Sequence, residues 1–208
     1  MEKKVLPTFQ YERQFWDRGL IEVAGVDEAG RGCWAGPVTA GAIIFPADER
    51  CASLLAGVRD SKQMSPKQRE MLLPVIQQNA CTWAVGWATN VEIDAYGIVP
   101  ATRLAMLRAI ESLLVKPQAL LIDAVQLFSV AVPQHSMKFG DALSLSIAAA
   151  SIVAKVFRDR WMMKADNRFP GFGFAQHKGY GTRQHQQALT DRGASVLHRM
   201  TFRPIRDS

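Results

Sequence analysis

The sequence predicts an α/β protein, a mixed β-sheet flanked by helices with a C-terminal helical segment. Two apolar runs lie close together near the start at hairpin-like spacing, and strand-like and helix-like segments alternate after them. That order suits a mixed sheet covered by helices. The third observation is where the acids fall. Asp27 and Asp123 each end an apolar run and Asp141 opens a helical pattern, the places where open mixed sheets gather their sites.

The first strand is LIEVAGVDE, residues 20–28, and the second is PVTAGAIIF, residues 37–45; both are short apolar runs. A helix opens at Ser65-Pro66-Lys67-Gln68. Ser65 offers a cap, Pro66 suits the first helical position and Gln68 completes a capping box. TWAVGWAT, residues 82–89, reads as a third strand, and TRLAMLRAIESLL, residues 102–114, as a helix with apolar i, i+3, i+4 spacing. ALLID, residues 119–123, is a short apolar strand that ends in an acid, like the first. The longest helix is predicted over DALSLSIAAASIVAKVFRDRWMMKA, residues 141–165. Leu145, Ala148, Ile152 and Val156 line one of its faces, and its alanines allow close packing. After HKGYGT, a last helix, RQHQQALTDRG, ends at Gly193.

With 208 residues and 48% hydrophobic content, the chain can bury a full core as a single domain, 1–208, extended by helix from about residue 183. It has no apolar run of about 18 residues, and the start, MEKKVLPTFQYERQFWDRG, lacks an apolar signal core. A cytoplasmic protein is expected. Cys33, Cys51 and Cys81 are odd in number and far apart, which fits isolated reduced thiols rather than a disulfide or CxxC framework. The net charge of +6 favours a polyanionic partner such as nucleic acid.

The stretch VAGVDEAGRGCWAGPVTAGAIIF carries the chemistry. GRGCWA fits a permissive dinucleotide fingerprint, but Pro37 and the β-branched run after it read as a strand where that motif needs a helix. No Gly-Lys-Ser/Thr follows for a Walker loop. Asp27, Glu28, Asp123 and Asp141 read together as a carboxylate set for hard divalent ions, magnesium or manganese. Two such ions, about 4 Å apart, can drive hydrolysis at phosphorus. Neighbouring strand residues point to opposite faces, so Asp27 and Glu28 can share such a site only if regular strand geometry fails at Glu28.

GVDEAGRGCWAGPV, DSKQMSPKQRE, LLIDA, GDALSLSIAAASIVAKVFRDR and HKGYGT, in this order over about residues 20–203, resemble the ribonuclease HII family. The resemblance implies a ribonuclease H-like sheet and two-metal cleavage of RNA paired with DNA, including single ribonucleotides in duplex DNA. The products it implies carry 5′-phosphate and 3′-hydroxyl ends. It also implies that Asp27, Glu28, Asp123 and Asp141 bind the metals. Gly30, Arg31 and Gly32 match the loop that reads the ribose 2′-hydroxyl, and Tyr180 the ring that stacks on the next deoxyribose. The 2′-hydroxyl is the group that separates RNA from DNA. Two positions depart from the family pattern: Phe139 stands where lysine is frequent, and Gln63 follows Lys62.

Other residues carry less. His177 and His185 flank Tyr180 without a further ligand at zinc spacing, and Ser144, Ser146 and Ser151 lack a nucleophile elbow. Lys62, Lys155 and Arg158 suit phosphate contacts, a solvated surface or pairing along a helix. The five tryptophans suit the core better than base stacking. A binding module without cleavage gains nothing from four acids facing phosphate. The tail, TFRPIRDS, shows no clamp-binding box, so the expected partner is nucleic acid alone and the expected form a monomer.

Overall fold

The computed structural model of the chain describes residues 6–207. Residues 1–5, part of the charged start, and residue 208 of the tail lie outside the described residues. Five strands form one mixed sheet: β1 (Val23–Ala29), β2 (Val38–Ile44), β3 (Thr82–Ala88), β4 (Ala119–Asp123) and β5 (Gln134–Met137). Their spatial order is β3-β2-β1-β4-β5. β1 pairs antiparallel with β2, as does β2 with β3, while β4 joins both β1 and β5 in parallel. Four of these strands lie where the apolar runs place them. β5, with the sequence QHSM, was not expected: it is polar, sits at the sheet edge, and is held by backbone pairing with β4.

Before β4 the helices are α1 (Gln10–Trp16), α2 (Cys51–Leu54), α3 (Pro66–Asn79), α4 (Asn90–Tyr96) and α5 (Ile98–Glu111). After β5 come α6 (Gly140–Leu143), α7 (Leu145–Arg168), α8 (Phe174–His177) and α9 (Arg183–Arg192). The capping box on α3 forms as read: Ser65 Oγ accepts from Gln68 N at 3.2 Å, and Gln68 Oε1 accepts from Ser65 N at 2.9 Å. Such a cap contributes about 1 kcal/mol. α5 starts earlier than its apolar spacing suggests, because Pro100 is tolerated within a first turn.

The long helix expected from residue 141 is in fact two. Ser144 is extended, with φ −103° and ψ 129°, and its hydroxyl caps α7 by accepting from Ile147 N. That hydroxyl donates to Glu12 Oε1 at 2.7 Å, and Ser146 N donates to the same oxygen at 2.9 Å. A buried carboxyl group at a helix N-terminus therefore holds the break and ties α1 to α7. The first half of α7 is buried on nearly every side, not on one face alone.

α7 lies across β1 and β2 on one face of the sheet, and α5 covers β2 and β3 on the other. Ala24 and Val26 join the α5 core, while Val23 turns to the opposite face, as strand alternation requires. Contact between α7 and the sheet is backbone to backbone. A methyl group on Gly25 would come within 2.5 Å of the Ser146 carbonyl oxygen, and one on Gly41 within 3.1 Å of Ala154 N. No helix among the described residues is long and apolar enough to cross a membrane.

Candidate active site

The strand pairing explains where the acids meet. On its β2 side, β1 stays regularly paired through Glu28 to Ala29↔Thr39. What ends is the other side of β1: its parallel ladder with β4 stops at Val26↔Ile122. Beyond Val26, β1 is unpaired toward β4, and Asp27 and Glu28 lie beside the strand end that carries Asp123. Asp123 Oδ1 accepts from Gly140 N at 2.8 Å, which fixes the start of α6 and hence Asp141. Asp141 makes no helix cap; the capping position belongs to Phe139.

The four carboxyl groups act on one another. Burial first, then the charges of Glu28, Asp123 and Asp141, hold Asp27 well above the usual carboxylate range. Burial also raises Glu28, with Arg31 opposing and Asp123 adding to it. Asp141 is pushed up to about 6 by burial, against Lys62 and with help from Asp60 and Asp123. Two cations answer this negative field. Arg31 Nη1 lies 3.3 Å from Glu28 Oε1, and Lys62 Nζ lies 3.5 Å from Asp141 Oδ2.

Among the described residues, no three His, Cys, Asp or Glu side chains stand ready as a metal-holding group. The donor chemistry nonetheless fits a hard divalent cation. Only carboxylate oxygens converge here, and Glu28 Oε2 is buried without a hydrogen-bond partner. A divalent charge would offset the burial, and after it the mutual repulsion, that raise Asp27, Glu28 and Asp141.

Beside the acids runs a groove of about 380 Å³, lined by Glu28, Gly30, Arg31, Gly32, Ser61, Lys62, Lys155 and Tyr180. Gly30 adopts φ +95°, a conformation that requires glycine. Gly32 differs: its backbone needs no glycine, and nothing lies within 4 Å of where a side chain would begin. Its bareness leaves room for a ligand rather than for the protein. The Tyr180 ring, 40% exposed, has Lys155 Nζ 5.1 Å from its centroid. Lys155 is itself paired with Asp159 at 2.7 Å.

The structure lines one groove with Glu28, Gly30, Arg31, Gly32 and Tyr180, while Asp27, Asp123 and Asp141 are joined to it through their charges. It also corrects the reading of Arg158, which is neither solvated nor positioned for phosphate. Its fully buried guanidinium donates to the carbonyls of Ala35, Pro37 and Lys178. Gln63 donates to Asp60, whose other oxygen accepts from Lys62 N, so this departure braces the neighbourhood of Asp141. The Phe139 side chain is 77% exposed and its backbone is left-handed, with φ 60°.

Two groups were missed in the sequence. The first is His198. His185 donates from Nδ1 to Tyr180 O at 3.0 Å and accepts at Nε2 from His198 Nε2, also at 3.0 Å. His177 Nδ1 accepts from Gly179 N, so this neutral histidine chain braces the turn that presents Tyr180. Burial, with His177 and His198 nearby, lowers His185 to about 4. The second is Arg199, fully buried, which donates to Gly30 O, Arg31 O and Gly36 O. A lone basic residue near a C-terminus carries no sequence signal of such a role.

Residues 24–204 match the family model described as Ribonuclease HII. A Ribonuclease HII of Chloroflexus aurantiacus is 53% identical over 202 residues, covering 97% of this chain and 95% of that one. Among solved structures, ribonuclease H2 from Pyrococcus horikoshii superposes with a TM-score of 0.75 at 29% identity, covering 90% of this chain and 96% of that one. A Bst-RNase HIII in complex with Mn2+ shares the fold at a TM-score of 0.65 and 18% identity, covering 90% of this chain and 68% of its own.

Proposed function

We propose, from the premise that this chain belongs to the ribonuclease HII family, that Asp27, Glu28, Asp123 and Asp141 form its catalytic centre. The chain is a metal-dependent endoribonuclease that cleaves the RNA strand of RNA–DNA hybrids and cuts at ribonucleotides embedded in duplex DNA. The observation that carries the site assignment is the meeting of four carboxyl groups from β1, β4 and α6 beside an open groove.

The four acids would hold two divalent ions, magnesium or manganese, a choice supported by their all-oxygen donor set. When bound, such ions supply positive charge against a reacting phosphate and acidify water. The protein's own groups do the rest. Gly30, Arg31 and Gly32 bring backbone and guanidinium against the ribose, where the open space at Gly32 admits a close approach. Tyr180 offers its exposed ring to the following deoxyribose, and Lys62 offers its ammonium to a phosphate at the rim. Asp141, Asp27, Asp60 and Asp123 keep that ammonium charged and outweigh the effect of burial. Orientation of this kind is worth orders of magnitude in rate.

On this reading residues 1–208 are one catalytic domain, extended from about residue 183, working as a monomer on nucleic acid in the cytoplasm. The unpaired thiols of Cys33, Cys51 and Cys81 fit a reducing compartment.

The test is a DNA duplex carrying one ribonucleotide beside the same duplex made wholly of DNA, each with magnesium or manganese. The first should be cut on the 5′ side of the ribonucleotide, leaving a 5′-phosphate, and the second left whole. Equal cutting of both would show a general metal nuclease and remove the role given to the loop.

A further inference from the structure

We infer that Arg158 and Arg199 are positioning residues that fix the spacing between the Gly30-Arg31-Gly32 turn and the Tyr180 turn, and so set the preference for a ribose–deoxyribose junction. This rests on the roles proposed above for those two turns.

Both guanidiniums are fully buried, and every hydrogen bond they make goes to a backbone carbonyl. Their targets interleave along one strip of chain. Arg158 holds Ala35 O and Pro37 O at 3.1 and 2.8 Å, and Arg199 holds Gly36 O between them at 3.0 Å. From this shared strip each reaches a different turn. Arg199 binds Gly30 O and Arg31 O, both at 2.7 Å, and Arg158 binds Lys178 O at 2.9 Å. The contacts are close: a methyl group on Gly30 would strike the Arg158 guanidinium, and one on Gly179 would strike Ala35 O.

Backbone bonds complete the frame. Trp34 N donates to Gly179 O and Arg199 N donates to Trp34 O, each at 2.8 Å, and Gly36 N donates to Leu197 O at 2.9 Å. A buried guanidinium is a costly way to fill a core that apolar side chains could fill. What it offers instead is a rigid planar fork that holds two carbonyls at one separation, which a lysine cannot do. The separation it holds is that between the group facing the 2′-hydroxyl and the ring facing the next sugar.

The experiment measures kcat and KM of the full-length protein on two substrates. One is a duplex with a single ribonucleotide, whose cut engages both turns. The other is a uniform RNA–DNA hybrid, whose interior sites present no deoxyribose to Tyr180. Arg199→Lys and Arg158→Lys should lose on the order of tenfold or more in kcat/KM on the first, mostly in kcat, and only a few-fold on the second. Equal losses on both substrates would show a merely structural pair and overturn the inference. Tyr180→Ala runs alongside. If it leaves the substrate ratio unchanged, the role of Tyr180 fails and the inference with it. If it shifts the ratio while the arginine variants do not, the inference alone fails. Should the variants not fold, amide exchange of the unmodified protein decides. The amides of Trp34, Gly36 and Arg199 should open together as one unit, and independent opening would overturn the frame.

Discussion

Replacing Gly25 with alanine tests whether the β1–α7 contact sets the geometry of the acids. The new methyl group would sit 2.5 Å from both the Cβ and the carbonyl oxygen of Ser146, where ordinary contact begins at 3.4 Å. Backbone atoms cannot be trimmed and the Ser146 carbonyl carbon lies closer still, so α7 must retreat from β1 by about 1 Å or more, and Ser146→Gly should not rescue the variant. Overpacking of this kind costs about 2 kcal/mol, or about 4–8 °C in melting temperature for a chain of this size. Asp27 stands two residues beyond Gly25, and Asp141 is carried by α6, directly before α7. A displacement on the order of 1 Å between them should cut turnover about 100-fold. Thermal melts and single-ribonucleotide cleavage read both effects. Gly32→Ala is the contrast: with open space around it, stability should hold within about 0.5 kcal/mol while cleavage falls. A Gly25→Ala protein with unchanged melting temperature and near-normal turnover would refute the argument.

Asp27→Asn should abolish most cleavage yet fold at least as stably as the parent in metal-free buffer, because it relieves burial and crowding of like charge. Magnesium or manganese should support cleavage by the parent and calcium should not; activity that survives exhaustive chelation would rule out the metal centre. Glu92, held down to about 2 by Arg108 and then the Thr89 amide, contributes stability above its usual 4.5 that is lost as pH falls through about 2. Glu92→Gln keeps the cap but loses the ion pair, so urea melts should show a deficit of about 0.5–1 kcal/mol at pH 7 that closes on acidification; a constant deficit counts against the pairing. Glu12 is raised by burial against its bonds to Ser144 and Ser146, so its contribution is complete below its usual 4.5 and lost as pH rises through the raised value. Glu12→Gln should therefore match or exceed the parent at pH 7, whereas Glu12→Leu should cost about 2 kcal/mol by stranding the Ser144 hydroxyl and Ser146 amide; equal behaviour of the two variants would contradict this.

What the sequence discloses depends on whether a role rests on a pattern of side chains or on backbone position. β1, β2 and β4 are legible because buried strands must be apolar, and the acids stand out because they interrupt those runs. β5 is illegible because its partner is the β4 backbone, which accepts any side chain that alternates in and out of an edge. The approach of Asp27 and Glu28 to Asp123 is hidden for a related reason: it depends on where the β1–β4 ladder stops, at Val26↔Ile122, while the β1–β2 ladder runs on. The break at Ser144 is hidden because its cause, Glu12, lies 132 residues away. Phe139 reverses the case. It stands out as a sequence departure, yet its side chain faces solvent, and Asp141 is placed by the bond from Gly140 N to Asp123. The identity of residue 139 therefore bears on what touches the rim of the groove and not on the carboxyl constellation. Arg158 and Arg199 mark the limit of sequence reading, since their partners are carbonyls that every residue possesses. Only the folded path of residues 30–37 shows that two basic side chains hold the turns on either side of the groove in place.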